Sequence, residues 1–194
     1  MQPYTFVFFG IVGSGKGTQI KLMMDLLKAK DGKEVVYAYP GNEYRRIVES
    51  TTQTSALVKD VLHAGGLQPD FLTNSIFVNI LVNNLGADKH FIADGYPRTI
   101  KQSECFEEVV KFYDRKDVKI IYIEVGKEEA TKRMKLRARA DDTDEGIAKR
   151  FDEYVNNVVP AMNYFNKSGY EIITINGEQT IENVQSDINK ALGF

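Results

Sequence analysis

Short apolar runs alternate with longer amphipathic stretches along the chain. The runs are rich in Val, Ile, Phe and Tyr, and they read TFVFF (5–9), EVVYA (34–38), HFIAD (90–94), KIIYIEV (119–125) and YEIITI (170–175). Apolar runs of this length and composition are typical of strands buried in a parallel sheet. The pattern therefore predicts a sheet of five strands.

The stretches between the runs place apolar residues three and four positions apart. A first face collects Ile20, Met23, Met24 and Leu27. A second collects Ile147, Phe151, Tyr154, Val158, Met162 and Phe165, and a third collects Ile181, Val184, Ile188 and Leu192. This spacing predicts amphipathic helices. Pro160 falls inside the second set, and we expect it to kink or interrupt that helix.

The alternation of strands and helices predicts an α/β fold, in which helices cover both faces of a mostly parallel sheet. Residues 42–86 depart from the alternation, because their pattern is mainly helical and lacks an obvious strand. We interpret them as a helical insert after the second strand. No repeat or linker divides the chain, so we expect one domain over residues 1–194. In such folds ligands bind outside the carboxyl ends of the strands.

Composition narrows the class of protein. The net charge is −2 and 43% of the residues are hydrophobic, which is ordinary for a globular domain. This balance gives no general attraction to nucleic acid or to an anionic membrane surface. The single Cys105 excludes an internal disulfide and a four-cysteine zinc site, and we expect it to be buried or half-buried on a helix. Neither a signal peptide nor a membrane-spanning run stands out, so we expect a cytoplasmic protein.

A glycine-rich loop, FFGIVGSGKGTQ (8–19), joins the first predicted strand to the first predicted helix. Glycine lets the backbone turn tightly and approach a phosphate closely. The N–H groups of the loop and of the helix N-terminus present partial positive charge to an anion. Lys16 adds a full positive charge near the β and γ phosphates. The segment therefore predicts a nucleoside triphosphate site.

The order of residues after Lys16 is unusual for such a loop. The general motif has a hydroxyl residue directly after the lysine, where it helps to hold Mg²⁺. Here Gly17 intervenes and Thr18 follows. We interpret Gly17 as allowing a phosphate to lie close to the first helical turn, and Thr18 as a donor to a phosphate from one residue further on.

The segment DGYPRTIKQ (94–102) contains a second group of candidate binding residues. Asp94 ends the third predicted strand, where a carboxylate is expected to hold Mg²⁺, most readily through bound water. Arg98 offers a planar fork that can bind a phosphate in bidentate fashion. Thr99 is expected to cap the next helix, and the amide of Gln102 can read the edge of a base.

The chain has eight arginines, and half of them lie in one segment. They are Arg133, Arg137, Arg139 and Arg150. Arginine suits the stabilisation of charge on a phosphoryl group during transfer. Asp142, with Glu145 three residues later, also predicts a helix N-cap.

Together, these segments resemble the adenylate kinases and closely related nucleoside monophosphate kinases. That family has Gly-Lys-Gly-Thr in its loop, Asp-Gly-Phe-Pro-Arg-Thr-x-x-Gln after a later strand, and Arg-x-Asp-Asp before a helix with a further arginine. This chain has Tyr96 in place of the common Phe. The resemblance implies a three-layer sandwich of the P-loop NTPase type with a five-stranded parallel sheet. It also implies the reaction MgATP + AMP ⇌ 2 ADP.

The resemblance implies roles for individual residues. The catalytic group is Lys16, Asp94, Arg98, Arg139 and Arg150. The ATP contacts are Gly13, Ser14, Gly15, Lys16, Gly17, Thr18, Arg133, Arg137 and Gln179. The AMP contacts are Gly41, Arg45, Leu67, Gln68, Gly95, Arg98, Gln102, Arg139 and Arg150. The metal ligand is Asp94, which binds Mg²⁺ through water.

Two parts of the domain are implied to cover the substrates. They are a helical acceptor-binding insert at about 40–70 and a short lid at about 134–143. Many relatives have a longer lid, some with a zinc site, whereas this segment has no cysteine and we expect no zinc. The implied partners are ATP and a nucleoside monophosphate, with Mg²⁺ as cofactor. We expect a monomer that binds neither nucleic acid nor a membrane.

The acceptor segment departs from the family pattern. Adenylate kinases have Ser-Thr-Gly-Asp there, but this chain reads YPGNEYR (39–45), and Pro40 has neither a hydroxyl nor an N–H group. The early runs TQIKL, EVV and YPG also resemble thymidylate kinases, while GGLQPD (65–70) again resembles the adenylate kinase segment that lines the AMP base. A UMP/CMP or thymidylate kinase therefore remains an alternative. A non-catalytic nucleotide-binding module is a second one.

Several tyrosines and both histidines are weaker candidates for catalytic residues. Tyr37, Tyr39 and Tyr44 lie near the acceptor segment, where we expect them to pack. His63 lies in the helical insert and His90 at a strand start, and we expect neither to be catalytic.

Overall fold

A single parallel sheet forms the centre of the protein, for which a computed structural model describes residues 2–137 and 142–194. Its strands are β1 (Thr5–Phe9), β2 (Val35–Ala38), β3 (His90–Asp94), β4 (Val118–Glu124) and β5 (Ile172–Asn176). The order across the sheet is β2-β3-β1-β4-β5, and every neighbouring pair is parallel. The predicted five-stranded α/β fold is confirmed.

Helices connect the strands. The bounds are α1 (Lys16–Asp31), α2 (Pro40–Ile47), α3 (Gln53–His63), α4 (Asp70–Asn84), α5 (Ile100–Phe112), α6 (Lys127–Arg137), α7 (Asp144–Glu153), α8 (Val159–Lys167) and α9 (Ile181–Leu192). Helices α2, α3 and α4 follow β2 with no strand between them. The mainly helical pattern predicted for residues 42–86 is therefore confirmed, and their role as an insert stays a prediction. None of the helices in the described ranges is both long enough and apolar enough to span a membrane.

The two faces of the sheet are covered by separate hydrophobic clusters. Because successive strand residues point to opposite faces, Phe6 and Phe8 join a cluster with side chains of α1 and α9. Val7 and Phe9 join the other cluster with side chains of α4, α5 and α8. All residues of β1 and β3 are buried. The apolar runs thus form the middle layer of a three-layer sandwich.

The long amphipathic pattern before β5 is interrupted at the predicted proline. Helices α7 and α8 are separated by a π-helical turn, Tyr154–Val158. Pro160 lies in the first turn of α8, where a missing N–H group is tolerated. The N–H of Val159 instead reaches back five residues to the carbonyl of Tyr154. The interruption is therefore a wider, π-helical turn just before the proline.

Candidate active site

The glycine-rich loop lies between the carboxyl end of β1 and the start of α1, pressed against two neighbouring segments. A Cβ atom on Gly10 would lie 2.6 Å from the carbonyl oxygen of Ile123, and one on Gly13 would lie 2.6 Å from that of Ala130. Both glycines also have positive φ angles, 146° and 91°, which side chains disfavour. Gly15 caps α1 and has no side chain with which to accept from the first N–H groups. The start of α1 is therefore suited to an anion.

Lys16, the first residue of α1, bends back over this loop. Its Nζ donates to the carbonyl oxygens of Gly10, at 2.5 Å, and of Ile11, at 3.0 Å. It also lies 3.4 Å from the hydroxyl of Ser14. The ammonium group is thus held at the mouth of the loop, close to the N-terminus of the helix.

Burial and neighbouring charges shift the titration of Lys16. Burial lowers the pKa of its ammonium group to about 8, the negative charge of Asp94 opposes this shift, and the positive charges of Arg98 and Arg137 add to it. Charges of both signs from two later segments therefore act on the loop lysine. This is the first sign that the predicted site residues meet in one place.

Gly17 has no packing explanation within the described residues. A Cβ atom built there would meet no atom within 4 Å. Gly17 and Thr18 are both exposed on the first turn of α1. Their surface faces open space, which agrees with the interpretation that a phosphate approaches this turn.

Asp94 ends β3 beside the loop and is held by a tyrosine from the neighbouring strand. The carboxylate is 7% exposed. The hydroxyl of Tyr37, on β2, donates to its Oδ2 at 2.5 Å. Burial and the charge of Asp94 raise the pKa of Tyr37 well above its usual range. Sequence analysis expected only packing from Tyr37 and missed this contact.

Arg98 lies in the tight connection between β3 and α5. Its Nε donates to the carbonyl of Gly95 at 2.9 Å. A Cβ atom on Gly95 would lie 2.7 Å from Nη2 of Arg98, and the φ angle of Gly95 is 60°, so a side chain there would be strained and would displace the arginine. Thr99 caps α5 by accepting from the N–H of Gln102 at 3.2 Å. The predicted cap is confirmed.

Gln102 is more deeply engaged with its own chain than the sequence suggested. It is 1% exposed. Its Oε1 accepts from the N–H of Arg98 at 2.8 Å, and its Nε2 donates to Asp70 at 2.9 Å. Asp70 also accepts from the hydroxyl of Thr99 at 2.7 Å. Gln102 still lines the cleft, and its reading of a base remains a prediction.

The acceptor segment at the start of α2 is organised around Tyr39. The hydroxyl of Tyr39 accepts from Nη2 of Arg45 at 3.2 Å, and the guanidinium lies 5.5 Å from the ring centroid. Arg45 also donates to the carbonyl of Gly41 at 3.2 Å and to the side chain of Asn42 at 3.0 Å. A Cβ atom on Gly41 would lie 2.5 Å from the ring of Tyr39. The ring therefore lies on Gly41 and supports the arginine.

The far wall of the cleft comes from α2, α4 and the segment between α3 and α4. Gln68 is buried, and its Nε2 donates to the carbonyl of Val58 at 2.9 Å. The hydroxyls of Tyr44 and Thr73 lie 2.6 Å apart. Leu67 contributes an apolar surface beside them.

Asp142 joins two of the clustered arginines. Its side chain is 1% exposed. It accepts from Nε and Nη2 of Arg137, at 3.1 and 2.8 Å, and from Nη1 of Arg150, at 2.8 Å. The prediction that Asp142 caps α7 was wrong, because Thr143 is the cap and accepts from the N–H of Gly146 at 3.0 Å. Arg139 lies outside the described residues.

A cleft of about 370 Å³ gathers most of the predicted acceptor residues. Its walls include Gly41, Arg45, Leu67, Gln68, Gly95 and Gln102, together with Arg98, Arg137 and Arg150. A smaller cavity of about 40 Å³ shares Arg98 and Arg150 with the cleft and reaches Lys16. Lys16, Arg98 and Arg150 therefore line the smaller cavity together, and the two arginines also line the cleft, whose volume is typical of small-molecule sites.

The residues predicted to contact the ATP base lie on the other side of the loop. Nη2 of Arg133 donates to the carbonyl of Gly177 at 3.0 Å. A Cβ atom on Gly15 would lie 4.0 Å from Nη1 of the same arginine. Gln179 donates to the carbonyl of Asn176 at 3.0 Å. Arg133 thus lies above the loop, beside the turn that follows β5.

The residues present suit a magnesium ion carried by a nucleotide. In the described part of the chain, no group of three His, Cys, Asp or Glu side chains is arranged to hold a metal by itself. Mg²⁺ keeps several waters and often takes only one or two carboxylates together with substrate phosphates. Asp94, beside the phosphate loop, provides one such carboxylate.

Comparison with known proteins finds the adenylate kinases among the relatives of this chain. The family model described as adenylate kinase matches residues 8–170. The adenylate kinase of Prochlorococcus marinus (strain MIT 9301) is 31% identical, over 96% of this chain and 97% of that protein. The adenylate kinase of Mycobacterium tuberculosis (strain ATCC 25177 / H37Ra) is 30% identical, over 96% and 98%. That of Thermosipho africanus (strain TCF52B) is 28% identical, over 94% and 96%.

Proposed function

The chain belongs to the adenylate kinase family, and we propose on that basis that it transfers the γ-phosphoryl group of MgATP to AMP and so forms two molecules of ADP. The enzyme class is that of the nucleoside monophosphate kinases, which are phosphotransferases. One observation carries the proposal: Lys16, Arg98 and Arg150 line one small cavity at the carboxyl ends of the strands, and Arg98 and Arg150 also line the larger cleft beside it. Two phosphate chains that meet tail to tail need cationic groups in this arrangement.

The donor phosphates bind at the loop between β1 and α1. N–H groups of the loop and the first turn of α1 contact the phosphate oxygens, and Lys16 turns from its loop carbonyls to the β and γ phosphates. Gly17 lets the triphosphate approach the helix, and Thr18 donates to it. Arg133 flanks the adenine beside the turn at Gly177.

Asp94 is the residue that would hold a magnesium ion through water, on the side of the loop that faces β3. An ion bound there would supply positive charge to the phosphates of the nucleotide. The carboxylate has one oxygen committed to Tyr37, and its orientation is therefore defined before substrates bind.

The acceptor binds in the larger part of the cleft. Arg45 and Arg98 bind its phosphate, and both guanidiniums already face the cleft through contacts with their own turns. The base lies toward Leu67, Gln68 and Gln102. This end is formed by the helical insert, about 40–70, which we assign to acceptor binding.

Transfer occurs in line between the two phosphates, without a covalent intermediate. Arg137 and Arg150 stabilise the charge on the transferred group, with Arg139 as a third arginine from the short lid at about 134–143. No general base is needed, because the attacking phosphate of AMP is already ionised. Closure of the insert and the lid excludes water from the phosphoryl group.

A panel of acceptors tests this proposal directly. Purified protein is given MgATP and, in turn, AMP, UMP, CMP or dTMP, and the diphosphate products are separated and quantified. We expect the highest kcat/KM with AMP. A preference for UMP, CMP or dTMP would establish the pyrimidine alternative. If no acceptor gives a diphosphate, the chain is a nucleotide-binding module without transferase activity.

A further inference from the structure

Tyr37, which was not among the predicted site residues, forms a hydrogen bond with Asp94. The two side chains come from neighbouring parallel strands, with Tyr37 aligned to Ile92, two positions before Asp94. The hydroxyl of the half-buried tyrosine donates to Oδ2 of the buried carboxylate at 2.5 Å. The tyrosine ring is itself fixed by the ring of Tyr39, whose centroid is 5.7 Å away.

We propose that Tyr37 is a positioning residue for the metal site: it holds one oxygen of Asp94 and leaves the rest of the carboxylate to a hydrated divalent cation. This inference rests on the proposed function, in which Asp94 serves the magnesium of MgATP. Tyr37 acts through Asp94 and needs no contact with either nucleotide. Hydrogen bonds from such outer residues orient metal ligands and tune their affinity.

A neutral donor is chemically suited to this position. A lysine or arginine there would neutralise the carboxylate and oppose binding of a cation, whereas a phenol fixes the carboxylate and leaves its charge in place. Tyr37 provides the donor from β2, on the edge of the sheet. The phenol therefore adds no positive charge beside the carboxylate at the carboxyl end of β3.

The hydrogen bond also keeps Asp94 apart from Lys16. These opposite charges attract each other, and a direct ion pair would withdraw the lysine from the phosphates and the carboxylate from the metal. In this structure Lys16 donates to loop carbonyls, while Asp94 accepts from Tyr37. Tyr37 thus favours the arrangement in which both charges remain available to MgATP.

The variant Tyr37→Phe removes the hydroxyl and keeps the ring. The matched control is Tyr164→Phe, because Tyr164 also donates to a carboxylate, Glu107, at 2.7 Å. Neither Tyr164 nor Glu107 lines the cleft or its smaller extension. Both variants remove one tyrosine–carboxylate hydrogen bond, but only one of these bonds reaches the proposed metal ligand.

The probe is Mn²⁺, whose free concentration is measured by electron paramagnetic resonance in the presence of protein and a non-hydrolysable ATP analogue. We expect Tyr37→Phe to weaken Mn²⁺ binding to the protein–analogue complex by about 10-fold. The affinity for the metal-free analogue should be unchanged, and Tyr164→Phe should resemble wild type. In steady-state assays with Mg²⁺, kcat should fall while the KM for AMP is retained.

Unchanged Mn²⁺ binding in Tyr37→Phe would overturn the inference and leave the proposed function standing. Equal weakening of the metal-free and metal-bound complexes would overturn it as well, since the hydroxyl would then support the loop and not the metal site. If wild-type protein transfers phosphate but its nucleotide complex binds Mn²⁺ no better than free nucleotide does, the role of Asp94 and this inference both fail. A wild-type protein that transfers no phosphate would instead overturn the proposed function.

Discussion

At the scale of single residues, the exchange of a hydroxyl for glycine after Lys16 marks where a ligand is expected. The loop glycines Gly10 and Gly13 have structural reasons, since side chains there would collide with neighbouring carbonyls. Gly17 has none among the described residues, because a Cβ atom would project into open space. Because packing does not require glycine at position 17, we infer that close approach of a substrate phosphate requires it.

The variant Gly17→Ala separates these two requirements. Alanine should raise the free energy of unfolding by about 0.5 kcal/mol, because it reduces the freedom of the unfolded chain. Its methyl group should displace the phosphates and lower kcat/KM for MgATP on the order of 10²-fold. Denaturant unfolding and steady-state kinetics measure the two effects. Wild-type kinetics in a stabilised variant would remove Gly17 from the ATP site.

The lowered pKa of Lys16 predicts that kcat/KM for MgATP depends on pH. Below about pH 8 the ammonium group is charged, and above it the free enzyme loses that charge. Since kcat/KM reports groups of the free enzyme, kcat/KM for MgATP should fall as the pH rises through about 8. In Lys16→Arg, kcat/KM should not fall in this pH range, because arginine keeps its charge. A wild-type profile that stays level to about pH 10 would contradict the prediction.

The same pKa has a consequence for stability. The pKa is about 8 in the folded protein, against 10.5 for an ordinary lysine, so the unfolded chain binds more protons between these values. Burial of the charged ammonium group therefore lowers the free energy of unfolding by its full amount below pH 8. As the pH rises from 8 toward 10.5, the folded protein loses this charge and the free energy of unfolding increases. Lys16→Met should be more stable than wild type at pH 7, and the difference should shrink by pH 10.

At the scale of elements, Asp142 links helices α6 and α7 through one arginine of each. Asp142 binds two arginines from different helices, and one carboxylate keeps both guanidiniums directed at the cleft. Helix α7 is capped by a different residue, Thr143. The carboxylate therefore serves the position of the arginines and not the start of the helix.

The variant Asp142→Asn should lower the free energy of unfolding by about 2 kcal/mol, because the buried ion pairs lose their negative charge and an amide N–H group replaces the oxygen that accepts from Nε of Arg137. It should also slow transfer, since the remaining Oδ1 holds Arg137 and Arg150 without that charge. The control is Asp144→Asn, whose exposed carboxylate pairs with Lys135 and should contribute less than about 1 kcal/mol. Thermal unfolding and kcat are the measurements. Equal effects of the two variants would refute the assigned role of Asp142.

The local sequence pattern predicted the strands and helices well, but it predicted the polar contacts between them less well. The strands could be read from short apolar runs, and the cap at Thr99 from its position before an amphipathic pattern. Asp142 and Thr143 carry similar cap signals one residue apart, and only tertiary pairing with the arginines separates them. Likewise Tyr37 and Asp94 are 57 positions apart in the sequence. Their contact depends on the register between two strands, which spacing alone does not reveal.

At the scale of the whole molecule, the order of the strands assembles the cleft. Strands β1 and β3 are neighbours in the middle of the sheet, so the loop after β1 lies beside Asp94 and the turn that carries Arg98. Strand β2 flanks β3 on the other side and adds the acceptor segment. Sequence analysis predicted that these segments meet at the carboxyl ends of the strands. It did not predict the internal hydrogen bonds of Gln102, because Asp70 comes from a different helix.

The central claim is that one cleft brings a donor and an acceptor phosphate together for direct transfer. The measurement is the fate of the γ-phosphate of labelled ATP when wild-type protein is incubated with Mg²⁺ and AMP, with products separated by chromatography. We predict label in the β-phosphate of ADP, formed faster than labelled inorganic phosphate and dependent on AMP. Label that appears only as inorganic phosphate, at the same rate with and without AMP, would contradict it.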